Sequence, residues 1–166
     1  RHTMNTIATA QSEYFKRPAD ERFDSLQAMI TAAQHDQEQS HEAIYNLRDL
    51  EAVPARAGED DNPTILLQSP KGRASFTHYS FGQLARTIGA PANYLRTLPP
   101  AIAADAINFG LHDAAPVGTS ANILIRDDES QPFPVARACT SETYGRLWDA
   151  RLYGELNRHF GDGIRS

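Results

Sequence analysis

The sequence predicts an α+β fold: short antiparallel β-hairpins packed with several helices, preceded by an acidic helical N-terminal arm. Two pairs of short apolar runs flank turn signals, at residues 64–79 and 122–140. Runs with helical three- and four-residue spacing lie before, between and after them. Acidic residues gather at one end: residues 1–62 hold 6 Lys and Arg against 12 Asp and Glu, whereas residues 63–166 hold 10 against 9. Period-two alternation marks half-buried strands and period-3.6 recurrence marks amphipathic helices, so the mixture argues for both in one domain.

Met4 is expected as the natural start, with little periodicity through residue 17. Pro18 to about Gln39 reads as a helix, with Asp20 and Glu21 favouring its positive N-terminal dipole and Phe23, Leu26, Ile30 and Ala33 as its apolar stripe. Ile44, Leu47 and Leu50 suit either a short helix or an extended segment. Residues 53–63 carry two prolines, a glycine and three consecutive acids and read as a linker. The expected division is therefore an arm over 1–62 and a core domain over 63–166.

Within the core, residues 64–67 form a strand, Pro70-Lys71-Gly72 a turn, and residues 74–79 a returning strand. Ser80 is placed to cap the next helix, with Gln83 three residues on. Leu84, Ala85 and Ile88 form its apolar face, Gly89 its exit, and Pro91 opens a second helix with Tyr94, Leu95 and Leu98 inward. This spacing is similar to that of a helix-turn-helix. A third helix follows Pro99-Pro100, with Ile102, Ala106 and Phe109 on its apolar side. Residues 122–126 and 135–140 form the second hairpin around a polar turn at 127–132. Ser141 or Thr143 starts the last helix, whose stripe takes Leu147 or Trp148, Leu152 or Tyr153, Leu156 and Phe160.

Composition narrows the function classes. No apolar run is long enough for a membrane span, so no membrane partner is expected. A single cysteine, Cys139, excludes an internal disulfide and fits a reducing, cytoplasmic setting. It lies in an apolar strand, where a buried inert thiol is the usual state. Asp127, Asp128 and Glu129 read as solvated turn residues, and His35 and His41 lack ligand spacing for one helical face. The sequence has no zinc signature, phosphate-binding glycine loop, nucleophile elbow or catalytic carboxylate pair. A non-enzymatic protein without cofactor or metal is expected.

No Asp or Glu occurs between Asp61 and Asp105, while Lys71, Arg73, Arg86 and Arg96 do, interleaved with Phe76, His78, Tyr79, Phe81 and Tyr94. Basic groups contact phosphates and aromatics stack on bases. Lys71, Arg73, Arg86 and Arg96 are thus candidate phosphate contacts, with Asn93 the base-edge donor. Arg137, Ser141, Tyr144 and Arg146 form a second candidate set, in which the expected helix start at Ser141 supplies free amides to a phosphate. DNA, single- or double-stranded, is the expected partner; the alternative is a protein docking on the acidic arm or the exposed aromatics.

Two stretches together resemble a known family. One is Ser80-Phe81-Gly82-Gln83-Leu84-Ala85 through Leu98, continued by Ile107-Asn108-Phe109-Gly110-Leu111; the other runs from Ala136-Arg137-Ala138-Cys139-Thr140-Ser141 to Asp149. They are similar to phage- and plasmid-borne proteins known only as a domain of unknown function, number nine-three-two. The resemblance spans about residues 64 to 160. It implies a mobile-element setting, with DNA replication, recombination, element maintenance or contests with host defence as expected contexts. Members are typically longer, which favours a further domain beyond Ser166 over a natural end there. The family has no established activity to transfer.

Overall fold

The computed structural model describes residues 23–55 and 65–161. The described residues divide into two compact units: one spanning 38–55 and 65–146, and a second made of 23–37 with 147–161. The first is a mixed α+β body around one six-stranded, mostly antiparallel sheet.

Its strands are β1 (Ser40–Asn46), β2 (Glu51–Pro54), β3 (Ile65–Ser69), β4 (Gly72–Phe76), β5 (Ser120–Arg126) and β6 (Val135–Ser141), in the order β1-β5-β6-β4-β3-β2. Two antiparallel triads, β1-β5-β6 and β4-β3-β2, meet along a short parallel seam, Ser75 beside Val135 and Phe76 beside Ala136. Both expected hairpins are present. In the first, Ser69 faces Gly72 across the turn; Gly72 has φ +136°, a conformation that side chains disfavour. The second carries a β-bulge: Leu124 faces Ala138 but Ile125 faces Ala136, leaving Arg137 as the extra residue.

The expected boundary at residue 62 does not match this organisation. Residues 40–54, read as part of the arm, supply both edges of the sheet. β1 pairs with β5 along its whole length, from Ser40 with Arg126 to Asn46 with Ser120. Ile44, Leu47 and Leu50 fall into three different environments: strand, a 3₁₀ turn over Leu47–Asp49, and the residue entering β2. Leu47 and Leu50 are fully buried, and Val53 and Pro54 belong to β2 rather than to a linker. β1 finds its partner some eighty residues away in sequence, and periodicity within a short window does not register such a pairing. The linker's residues 56–63 lie outside the described residues.

The helices of this unit are α2 (His78–Thr87), α3 (Ala92–Leu95) and α4 (Pro100–Phe109), followed by a wider π turn over Gly110–Ala114. α2 packs on β6, and α4 on β2 and β3. Their shared core includes Leu67, Phe81, Leu84, Ile107, Ile123 and Cys139. The cap of α2 lies three residues earlier than expected. Thr77 Oγ1 accepts from Ser80 N–H at 3.1 Å, and Ser80 Oγ accepts from Thr77 N–H at 3.0 Å. Ser80 is the closing member of that reciprocal pair, not the cap. Gln83, freed from capping, accepts the Cys139 backbone N–H at Oε1, 2.9 Å, and ties α2 to β6 where β4 has left the sheet.

α4 turns the opposite face inward. Ala103, Ala104 and Ile107 are buried, while Ile102 and Phe109, on the expected apolar side, are 54 % and 63 % exposed. Small alanines let the helix approach β2 closely, so the packed face is the one with less side-chain volume. Asn108 completes the contact from the same helix. Its Oδ1 accepts Ala52 N–H at 2.7 Å and its Nδ2 donates to Ala52 C=O at 2.9 Å. The amide thus occupies an outer hydrogen-bonding position of edge strand β2, and His112 Nε2 lies 2.8 Å from the Leu50 carbonyl oxygen.

The second unit contributes α1 (Leu26–Glu38) and α5 (Asp149–Phe160). Ser25 caps α1 by accepting Ala28 N–H at 3.1 Å; the start expected at Pro18, with Asp20 and Glu21, lies outside the described residues. α5 begins at Asp149, not at Ser141 or Thr143. Ser141 is the last residue of β6, and the next residues run without helix to Trp148. Arg146 is held on β1 by Glu42, at 2.6 Å from Nε to Oε1, a path that a helix from Ser141 would not follow. Of the expected stripe, Leu147 and Trp148 precede α5, and Leu152, Leu156 and Phe160 within it are exposed, so the helix does not bury that side among the described residues. No described helix is long and apolar enough to cross a membrane.

Candidate nucleic-acid interface

The corner from α2 to α3 holds the basic residues that the structure brings together. Thr77 fixes where α2 starts, and the helical repeat then puts His78, Tyr79, Gly82 and Arg86 along one outward stripe, with Gln83 at its inner margin. Gly89, at φ +72°, reverses the chain after α2. α3 returns Ala92 and Arg96 to the same side, and these residues line an open groove of about 640 Å³. Tyr79 is 80 % exposed, and its ring meets His78 edge-on, centroids 5.8 Å apart. Arg86 is exposed and has no ion pair among the described residues. Among the described residues no carboxylate lines the groove.

Arg96 is the fixed member of the set. Its Nη1 donates to Asn93 Oδ1 at 3.1 Å and its Nη2 donates to the His78 carbonyl at 2.8 Å. Its guanidinium carbon lies 5.0 Å from the Phe81 ring centroid, within cation–π range. Phe81 in turn meets Phe76 edge-on at 5.6 Å. The guanidinium is thereby held in the wall between the groove and a smaller crevice of about 270 Å³, lined by Phe76, Thr77, His78, Phe81, Leu95 and Leu98 among others. Asn93 is exposed, with its Oδ1 engaged by Arg96, so its first role is to position that arginine. α3 has only four residues and is about 6 Å long, too short to lie along a duplex groove as a reading helix.

The other candidates are dispersed. Lys71 is exposed in the β3–β4 turn, where its N–H donates to Ser69 Oγ, and Arg73 Nε donates to Gln68 Oε1 at 3.0 Å on β4. Arg137 is exposed at the β6 bulge. Tyr144 is half-exposed with Arg146 over its ring at 5.8 Å. Arg146 is drawn into its ion pair with Glu42, its side chain only 15 % exposed. Ser141 Oγ sits 3.4 Å from Thr143 Oγ1 at a strand end. The Arg137–Arg146 set therefore has no helix N-terminus at Ser141 and one arginine already neutralised, which removes the phosphate cradle expected there. His78 and Tyr79 belong to the groove although sequence reasoning left them out of the site. Both fall in the strand expected over residues 74–79, because the helix start is expected at Ser80; the Thr77 cap is what brings them into the first turn of α2.

Cys139 is buried against α2, and desolvation pushes its thiol up to about 12. A thiol held protonated so far above neutrality is a poor nucleophile. Hydrogen bonds from Ser130 hold the Asp128 carboxyl below its ordinary value, as in a self-capped turn. Among the described residues no group of three or more His, Cys, Asp or Glu is placed to hold a metal ion.

No protein-family model, curated protein or solved structure matches this chain.

Proposed function

We propose that this protein is a nucleic-acid-associated accessory protein of a mobile element, binding without catalysis through the α2–α3 corner. One observation carries the reading: a groove lined by Arg86, Arg96, His78 and Tyr79 and, among the described residues, by no carboxylate, on a protein of net charge −5. An acidic chain repels polyanions on average, so an acid-free concavity with two arginines is where phosphates are attracted. Exposed rings beside them supply stacking surface. The resemblance to the phage- and plasmid-borne family gives the setting, and the single-turn α3 favours shape- or strand-selective contact over base-edge reading.

The test is fluorescence anisotropy with labelled single- and double-stranded DNA at rising salt. Micromolar or tighter binding that weakens steeply with salt is expected. Arg86→Glu is expected to weaken it at every salt concentration and to lower the salt slope by about one. Arg86 is the residue to reverse, because Arg96 also holds the corner together. Unchanged binding in Arg86→Glu removes this face from the reading.

A second reading, a protein-binding module, is favoured by the outward apolar side of α4. Ile102 and Phe109 stand exposed seven residues apart on one helical face. Loss of a co-purifying protein partner in Ile102→Asp with Phe109→Asp, without loss of DNA binding, would support it.

A further inference from the structure

The groove and the crevice share two lining residues, His78 and Arg96. We infer that the crevice takes one unstacked nucleobase of a single strand whose backbone phosphates lie in the groove. This rests on the nucleic-acid reading and makes it specific for single strands.

The two cavities adjoin at His78 and Arg96, so that a phosphate in one and the base attached to it in the other would lie side by side. The groove is cationic and open, suited to a phosphate. The crevice offers polar and apolar surface in about equal measure: Phe76 and Phe81 crossed at 84° with Leu95 and Leu98 beside them, and Thr77, His78 and Arg96 as polar lining groups. In a concave site, apolar side chains bury a ligand's surface and a few placed polar groups fix its orientation. At about 270 Å³ the crevice lies at the small end of ligand pockets, in keeping with a single heterocycle. Arg96 sits where base and phosphate would join. Its bonds to Asn93 and His78 and its place over Phe81 fix it before any ligand arrives, so little ordering cost falls on binding. Other N–H groups of its guanidinium remain for a phosphate oxygen or a base carbonyl. Among the described residues neither cavity has an acidic lining residue, which fits an anionic strand. Bases in a duplex are stacked and paired, and removing one from the stack costs a few kcal/mol, whereas a single strand offers its bases freely.

The experiment compares a short fluorescent oligothymidylate, an abasic strand of equal length and charge, and the matching duplex. Each is titrated against the whole chain in wild-type and Leu98→Trp forms, the variant filling the crevice from its own wall. The abasic strand is expected to bind at least about tenfold more weakly than oligothymidylate, with the same salt slope. The duplex is expected to bind no better than the abasic strand. Leu98→Trp is expected to bring oligothymidylate down to the abasic level and leave the abasic strand unchanged. A measurement on the wild type alone guards against misfolding of that variant: 2-aminopurine within the bound strand is expected to become shielded from iodide quenching. Abasic and normal strands binding equally, or a bound 2-aminopurine still fully open to iodide, overturns the base pocket while leaving the phosphate groove standing. Failure of every strand to bind overturns the functional reading itself.

Discussion

Replacing Asn108 tests the most economical device in the sheet. β2 is an edge strand of four residues, paired only with β3 on its inner side. Ala52, at its centre, is 2 % exposed, so its outward N–H and C=O have little access to water. Asn108 satisfies both, at 2.7 and 2.9 Å, and residues 52 and 108 are far apart in sequence. Asn108→Ala removes two hydrogen bonds, each contributing about 1 kcal/mol net, and leaves two buried backbone groups unpaired, each costing about 1–3 kcal/mol when water cannot enter. Partial entry of water beside the truncated side chain reduces this, so a loss of about 2–4 kcal/mol is expected. With a urea m-value of about 2 kcal/mol/M, the midpoint falls by about 1–2 M. Hydrogen exchange reports the location: the Ala52 amide should lose protection before amides of β5. Asn108→Leu, of similar volume, should not rescue. A loss below about 0.5 kcal/mol, or restoration by leucine, would refute the claim that the paired amide holds this edge.

Three further outcomes follow from other contacts. Gly110→Ala puts a Cβ 2.8 Å from Ile88 Cδ1 and 2.9 Å from its Cβ; Ile88 is buried, so thermal denaturation should show a loss of about 1–3 kcal/mol, relieved in part by Ile88→Ala. Cys139 should resist aromatic disulfide reagents in the native protein at pH 8 and react on addition of urea. Because its folded value, about 12, lies above its ordinary 9.0, it supports the fold below about pH 9, and that support is lost as pH rises toward 12. Denaturation midpoints of Cys139→Ser should therefore fall less steeply than wild type across that alkaline window. Glu42→Gln weakens the ion pair with Arg146 and the contact with Asn122; with the carboxylate side chain a third exposed, a cost of about 1 kcal/mol in chemical denaturation is expected, smaller at high salt.

Local chemistry alone located the hairpins, the α2–α3 corner and the buried, inert cysteine. Gly72, Gly89 and Pro100 act at their own positions through backbone sterics, and period-two or period-3.6 spacing is visible within a few residues. The carboxylate-free window was likewise a property of the string, and it already contained both groove arginines. Tertiary structure decided what no window of ten residues contains. Pairing of β1 with β5 and of β2 with β3 turned an apparent arm into the two sheet edges. Close approach to β2 selected the alanine face of α4 over the face with Ile102 and Phe109, because packing rewards fit as well as hydrophobic area. Arg86 and Arg96, ten residues apart, share a groove only because Gly89 reverses the chain between them, and Arg146, equally basic in sequence, is neutralised by Glu42 on a distant strand. A residue's charge is written in the sequence; whether that charge faces a ligand or a partner side chain is set by the long-range contacts that bring the elements together.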